Sequence, residues 1–596
     1  MTGNPASERI VRIGAVSASF VDSRIAMPQL LGSGIPLDYL VFDCLAEGVM
    51  SILARARLAG QPAYVNDFVA GQMAPYLIEL AERRIKVVAN AGGLDPKGCA
   101  AAVRKAARDA GVPLRIASIA GDDLSHRMDE LVVPGTHDMF DGSDLHARLQ
   151  AADQTLSLAA YTGAFPIAAA LEAGADIVIT GRAVDSATVL GPLIREFGWV
   201  EGDFDRLSAG TLIGHLIECT TQVCGATFTD WRDVPDWANI GFPVAECTAD
   251  GSATIIKPAG TGGLISRGTV AEQMLYEIGD PAAYVVPDVV CDWTAVRIEQ
   301  TGKNRVAVRG AKGRGRPEKL KAALTWDAGW RGTALAPIVG HDAAAKAQRT
   351  TDELFARCKT LLRDRQLPPF TRVHFDVIGG EGGGVSTSIC RMVADHALQE
   401  GAALFAREQS SIMTSMAVGT SVPLGTTVRP LTHFASFLID RGGVELEVHV
   451  DEEAVQFEAV ATGFASTEDR PPEPPAAAAP PDGTAPLLDL AWVRSGDKGD
   501  LFNVGVIARQ PEALAPLYHA LTPAAVAAHF SGKLGKAIAP EAVTRYLVPG
   551  IDAVNLLVEH TLDGGMLASP ALDPAAKAMG QLLLDLPVPV PQGLMK

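Results

Sequence analysis

Between Val11 and Gly181, short β-branched runs alternate with longer helical stretches. That alternation constrains the chain more than any other feature, because it is the signature of parallel βαβ units. Val11–Val16 reads as a first strand and Tyr39–Asp43 as a second, leading into a helix over Ala46–Leu58. A helix over Pro75–Arg84 feeds the strand Ile85–Asn90, and after Gly92-Gly93 come the helix Lys97–Ala110 and the strand Leu114–Ala120. A further helix, about Tyr161–Glu172, delivers the strand Asp176–Thr180. The expectation is a Rossmann-like, mostly parallel sheet with strands ending at Asp43, Asn90, Gly121 and Gly181. Ligands of open α/β sheets sit outside those carboxyl ends, so the residues there are the first candidates for function.

At 596 residues the chain is too long for one core, since single cores stop growing near about 250–300 residues. Residues 10–240 are expected to form the α/β domain. From 241 to 465 the texture changes to strands such as Ala253–Lys257, Val289–Glu299, Arg305–Arg309, Leu320–Trp326 and Arg372–Ile378, with a glycine turn at Glu381–Gly384, so this stretch reads as an α+β domain. Residues 466–486, rich in Pro and Ala, read as a semi-rigid linker. Beyond it, residues 487–596 show four strand-like runs and three helical ones, the composition of a small ferredoxin-like α+β domain.

A net charge of −18 argues against a nucleic-acid partner. The basic run Arg305–Lys321 reads as a solvated loop or as a seat for a phosphate-bearing cofactor. Eight cysteines without short paired spacing read as buried free thiols. The longest apolar stretch, around Ser157–Thr180, is broken by Pro166, Glu172 and Asp176, so no membrane segment is expected. With no signal-like start, the expected compartment is the cytoplasm.

The strand ends carry the chemistry. Asp43 and Glu47, at i and i+4 where a strand turns into a helix, place two carboxylates on one face; they suit acid–base work or a divalent cation such as Mg²⁺, or else cap the helix. Asn90-Ala-Gly92-Gly93 could bring backbone amides to an anion, and Asp122 adds a carboxylate at the next strand end. Arg182, one helical turn from Asp185, suits a substrate carboxylate or phosphate, or an internal ion pair. His215 and Glu218, at i and i+3, have metal-ligand spacing but no matching second motif, so a solvent-facing acid beside core cysteines is the better reading. Thr261-Gly262-Gly263 opens a helix and is expected to hold an anion there.

The stretch Ser495-Gly-Asp-Lys-Gly-Asp500, between two apolar runs, has more polar decoration than a hairpin needs. Ser495, Lys498, Asp500 and the nearby Asn503 are therefore expected to contribute to a site across a domain interface, with Lys498 and Asp500 in catalytic places.

Several of these segments resemble the acyclic terpene utilisation AtuA family: Leu37–Glu47, Lys86–Pro96, Asp176–Arg182, Ile240–Pro243, Lys257–Gly263 and Tyr276–Pro281. The Arg494–Asp500 stretch with Asn503 looks like the ferredoxin-fold domain often fused to that family or encoded beside it. The resemblance implies a place in the catabolism of branched isoprenoids or related branched acids. It carries no agreed reaction or catalytic residues. The reading it supports is an enzyme acting on a branched acyl-CoA or hydroxy-acid derivative, as hydratase, lyase or thioester hydrolase, with CoA as part of the substrate. Asp43, Glu47, Asp122, Lys498 and Asp500 would be catalytic. Asn90, Gly92, Gly93, Arg182, Asp185, Thr261, Gly262, Gly263, Ser495 and Asn503 would bind substrate. The alternatives are a noncatalytic acyl-CoA-binding or scaffolding subunit and a metal-dependent lactone or amide hydrolase. A homo-oligomer is the base-rate expectation.

Overall fold

A computed structural model describes residues 9–20, 22–380, 384–422, 424–464, 470–474 and 481–594. Residues 381–383 of the expected glycine turn, and 466–469 and 475–480 of the expected linker, lie outside the described residues. The strands of the first half are β1 (Val11–Ser17), β2 (Tyr39–Phe42), β3 (Lys86–Ala89), β4 (Ile116–Ala120), β5 (Gln154–Ala160) and β6 (Ile177–Thr180). All but β5 lie parallel, in the order β1-β2-β3-β6-β4. Their side chains alternate between two cores: Ile13, Val41, Val88 and Val178 face one, while Leu40, Phe42, Val87 and Ile177 face the other. Both faces are therefore covered, which is why these strands read as continuous apolar runs.

The sheet does not stop at this parallel block. Val244–Cys247, Ala253–Ile256, Arg305–Arg309 and Arg297–Gly302 extend it antiparallel beyond β1, and Glu447–Val450 with Glu453–Val455 extend it beyond β4, giving eleven strands. The result is a mixed sheet rather than a self-contained Rossmann-like unit, and it takes strands from both sides of the expected boundary at 240. In turn, β5 leaves the first sheet and pairs with Lys319–His341. That 23-residue strand organises a second, antiparallel sheet with Gly425–Asp440, Val385–His396 and Arg372–Ile378. The sequence reading saw only its first third, Leu320–Trp326, because Gly329 and Gly332 interrupt the apolar pattern. A register shift at 327–330 carries the strand past Gly329, and Gly332 pairs in register with Val428.

The C-terminal part is a four-stranded antiparallel sheet, in the order Ala491–Lys498, Leu501–Ala508, Ala553–Val558, Val543–Val548. Helices Leu514–Ala520, Pro523–Leu534 and Met579–Leu583 cover one face. The other face lies on helix Arg267–Met274 and the turn after it. Contact there is close: a Cβ on Gly505 would sit 2.6 Å from Leu275 Cβ, and one on Gly496 would sit 2.4 Å from Glu277 Cγ. Glycine is what lets the small sheet approach. Asn503 Nδ2 donates to Leu275 O at 2.6 Å, and Asn555 Nδ2 to Gly279 O at 2.7 Å, tying the two bodies through buried hydrogen bonds.

Among the described residues no helix is long and apolar enough to cross a membrane. All eight cysteines are free, and all but Cys219 are buried.

Candidate functional site

The strand ends converge as the βα pattern predicts. Asp43 follows β2 and Asn90 follows β3, and the Asn90 amide joins them: its Nδ2 donates to Asp43 Oδ1 at 2.6 Å, while its Oδ1 accepts the Cys44 N–H at 2.6 Å. Burial, reinforced by the negative charge of Asp185, pushes the Asp43 carboxyl well above the usual carboxylate range against the pull of Arg182. Asp43 therefore favours its proton-bearing form.

Glu47 is the first residue of helix Glu47–Leu58 and has the opposite fate. Tyr161, just past β5, donates its phenol to Glu47 Oε1 at 2.5 Å, and Lys321 Nζ lies 3.4 Å from the same oxygen. Although burial works against the charge, Lys321 and Arg182 outweigh it and hold Glu47 ionised, well below its ordinary value. Arg182, buried after β6, donates from Nη2 to Tyr161 Oη at 3.0 Å and from Nη1 to Asp185 Oδ1 at 2.8 Å, and it stacks over the Tyr161 ring. Its Nε has no hydrogen-bond partner among the described residues.

A second layer comes from helix Phe204–Glu218 and the small domain. His215 Nε2 lies 3.0 Å from the carbonyl oxygen of Gln273, which can only accept, so this nitrogen carries the hydrogen. Burial and the nearby Lys498 lower His215 to about 4, so the ring is neutral and Nδ1 is an acceptor. Glu218 Oε1 lies 3.2 Å from that Nδ1 and must then be the donor. Burial and Asp185 push the Glu218 carboxyl well up, in agreement with a proton on it. Glu218 is thus not the solvent-facing acid its helical spacing implied; the carboxyl turns inward.

Lys498 completes the arrangement. Its Nζ is 3.6 Å from Glu277 Oε2, and the charges of Glu277, Asp185 and Glu47 overcome its desolvation and hold it firmly protonated. Lys577 also pairs with Glu277 and lies 3.3 Å from Asp497 Oδ1. Between Lys498 and Lys577, Glu277 stays ionised down to about 2 despite its burial. Its backbone sits at φ 57°, a left-handed conformation unusual for a residue with a side chain.

The hairpin that presents Lys498 is tighter than a six-residue loop. Strand pairing runs through Ser495↔Val504 to Lys498↔Leu501, so only Gly499 and Asp500 form the turn, with Gly499 at φ 61°. Side chains therefore alternate. Arg494, Gly496 and Lys498 face the Tyr276–Glu277 turn, whereas Ser495 and Asp497 face the covering helices.

Other expected residues take structural places. The Asp122 carboxylate accepts the Arg182 backbone N–H at 2.6 Å under Gly181, so it positions the arginine loop; burial raises its pKa to about 7. Asp500 is spent on the Leu562 N–H at 3.1 Å, away from Lys498. Ser495 Oγ accepts the Gly580 N–H, and Asn503 Nδ2 is spent on Leu275 O at the interface, while its Oδ1 has no hydrogen-bond partner among the described residues. Gly92 and Gly93 allow close packing instead of an anion nest: the Gly92 N–H goes to Thr180 O, and a Cβ on Gly93 would strike Leu53. Asp95 caps the following helix. The amides of Gly262 and Gly263 bond to Asn239 O and Pro235 O, Thr261 Oγ1 bonds to Pro258 O, and Ser266 with Thr269 caps helix Arg267–Met274, leaving no anion seat there. In the basic run, Arg305, Arg309, Lys312, Arg314 and Arg316 pair with Glu246, Glu299, Asp205, Asp292 and Glu201.

Sequence reasoning missed Tyr161, Lys321, Glu277 and Lys577. A lysine inside the apolar strand Leu320–Trp326 was a usable signal for Lys321; nothing local marks the others. Among the described residues no group of three His, Cys, Asp or Glu side chains could hold a metal ion. The expected divalent cation therefore does not fit the donor set, in which Lys498, Lys321 and Arg182 already supply the positive charge.

The fold and site together define a mixed α/β protein with a composite charged cluster, shared between a large two-sheet body and a small accessory domain. Residues 11–450 match the acyclic terpene utilisation family protein AtuA, and residues 485–589 match the AtuA ferredoxin-like domain. The chain belongs to the AtuA family, which is implicated in acyclic terpene utilisation. No curated protein and no solved structure matches it.

Proposed function

We propose that the protein is an enzyme of branched-acid catabolism that adds or removes water at a branched acyl-CoA or related hydroxy-acid derivative. The same groups would serve carbon–carbon lysis. One observation carries the reading: proton-bearing Asp43 and Glu218 share a cluster with ionised Glu47 and Glu277 and with the ammonium of Lys498. Carboxyls whose environments drive their pKa values apart are the hallmark of acid–base chemistry at neutral pH.

In dehydration, Asp185, with 34 % of its side chain accessible, takes the proton from C2 of the substrate. Glu218 turns its proton from His215 Nδ1 to the departing hydroxyl, which leaves as water. Negative charge accumulating on the thioester carbonyl oxygen faces Lys498. Solvent returns a proton from Asp185 to Glu218. Hydration runs the same steps in reverse.

The test is incubation of the purified chain with branched 3-hydroxyacyl thioesters, following the absorbance of the conjugated product. Glu218→Gln and Lys498→Met are each expected to lower turnover by about 10²–10⁴-fold, the usual worth of a positioned acid or charge. Full turnover in both folded variants would refute the assignment. A wild-type chain that binds thioesters without converting them would instead favour the noncatalytic acyl-CoA-binding subunit.

A further inference from the structure

A cavity of about 550 Å³ lies beside the hairpin tip, outside the charged cluster. Its volume is in the range of roughly 300–1,000 Å³ typical of small-molecule sites. The small domain contributes Gly499, Asp500, Asp563 and Gly564 to its wall, and the second sheet and the 138–151 region supply the rest. One residue lies beside both the cavity wall and the cluster. Phe140 sits between the lining residues Asp138 and Asp141; its ring centroid is 5.9 Å from Lys321 Nζ, and its side chain packs so closely on Gly499 that a Cβ there would approach to 2.4 Å.

The wall is polar without being a phosphate seat. Arg148 is paired with Asp141 at 2.8 Å, while Arg372 shares Asp395 with Arg331 and gives its other N–H groups to the carbonyls of Asp563 and Ala568, so the guanidinium donors are largely spent within the protein. Asp138 is consumed by the backbone amides of Phe140, Asp141 and Ser436. His433 stacks on Trp326 and makes no hydrogen bond among the described residues; burial first, then Arg372 and Arg148, lower it to about 4, so it is a neutral donor and acceptor. Asp500 and Asp563 add carboxylates on the small-domain side. Such a lining offers donors and acceptors together, beside the rings of Trp326 and Phe434. It suits an uncharged chain of amides and hydroxyls.

We propose that this cavity holds the amide-bearing pantetheine arm of a thioester substrate, with Phe140 as the wall past which the acyl end reaches Lys498 and Glu218. The inference rests on reading the cluster as the acid–base site. It deepens that reading by selecting a thioester over the free acid.

Calorimetric titration of the full chain with a branched S-acyl pantetheine and with the matching free acid tests it. The thioester is expected to bind at least ten-fold more tightly than the acid. Ala151→Phe, at an exposed position that lines the cavity, fills the space, and His433→Phe keeps the stacked ring but removes its nitrogens. Each is expected to weaken thioester binding at least ten-fold and to leave acid binding unchanged. Equal affinity for acid and thioester overturns the proposal, as does unchanged thioester affinity in both folded variants. If the thioester binds, is lost in both cavity variants and is still not converted by the wild type, the cavity assignment stands and the acid–base reading falls.

Discussion

Replacing Glu272 by Gln tests how the small domain is held, through a group with no expected part in the chemistry. Glu272 is buried in helix Arg267–Met274 beneath the small sheet, and it accepts the Thr229 N–H at 3.1 Å. Burial raises its pKa from 4.5 to about 8, with Thr229 and Arg494 pulling the other way. Between those values the folded chain keeps a proton that the unfolded chain gives up. Folding then takes up a proton, and stability falls as pH rises through that window. At roughly 1.4 kcal/mol per pH unit, the window amounts to about 5 kcal/mol between pH 4.5 and 8. Gln retains an oxygen for the Thr229 N–H and has no charge to desolvate. The variant is expected to match the wild type near pH 4.5 and to exceed it by several kcal/mol at pH 9. Urea unfolding of both proteins across this range, with tryptophan emission as the reporter, measures the difference. A Glu272→Gln curve parallel to the wild type at every pH would refute the linkage argument.

Further outcomes follow from the same contacts. Asn555→Leu strands the carbonyls of Ile278 and Gly279 at the interface, at about 1–3 kcal/mol each, and limited proteolysis should then release the small domain. Gly496→Ala drives a methyl into Glu277 and Tyr276, so turnover should fall more than the melting temperature does. His215 is held near 4 by burial and Lys498, below its ordinary 6.5, so the unfolded chain binds the extra proton and stability should drop as pH falls from 6.5 toward 4; His215→Asn should flatten that slope in acid unfolding curves. Arg331→Met leaves Asp395 and the carbonyls of Ala568 and Ser569 short of a buried donor, and should cost about 3–5 kcal/mol in chemical denaturation.

The parallel strands and their ends were legible because local sequence carries them: apolar runs of four to seven residues, each closing on a polar residue or glycine. The pattern alone therefore places Asp43, Asn90 and Arg182 at neighbouring strand ends. The rest depends on long-range pairing. Nothing around β5 announces that it abandons its neighbours for Lys319–His341, and so Tyr161 and Lys321 could not be seen to meet at Glu47. The glycine loops misled for a related reason. Gly93, Gly262 and Gly496 are glycines because something packs against them, and the packing partner lies far away in sequence. Asp500 and Lys498, adjacent but for one glycine, part company because a two-residue turn reverses the strand between them.

The position of Lys498 also makes assembly of the site a matter of mass action. Every other charged member of the inner cluster except Lys577 and Asp497 lies on the large body, and the small domain docks by a finite set of hydrogen bonds, ion pairs and apolar contacts. On one chain the covalent connection makes docking intramolecular, so even modest docking keeps the lysine in place. Were the same small domain supplied as a separate polypeptide, the cluster would form only in proportion to the complex. Any activity of the large body would then saturate with the concentration of its partner rather than with its own.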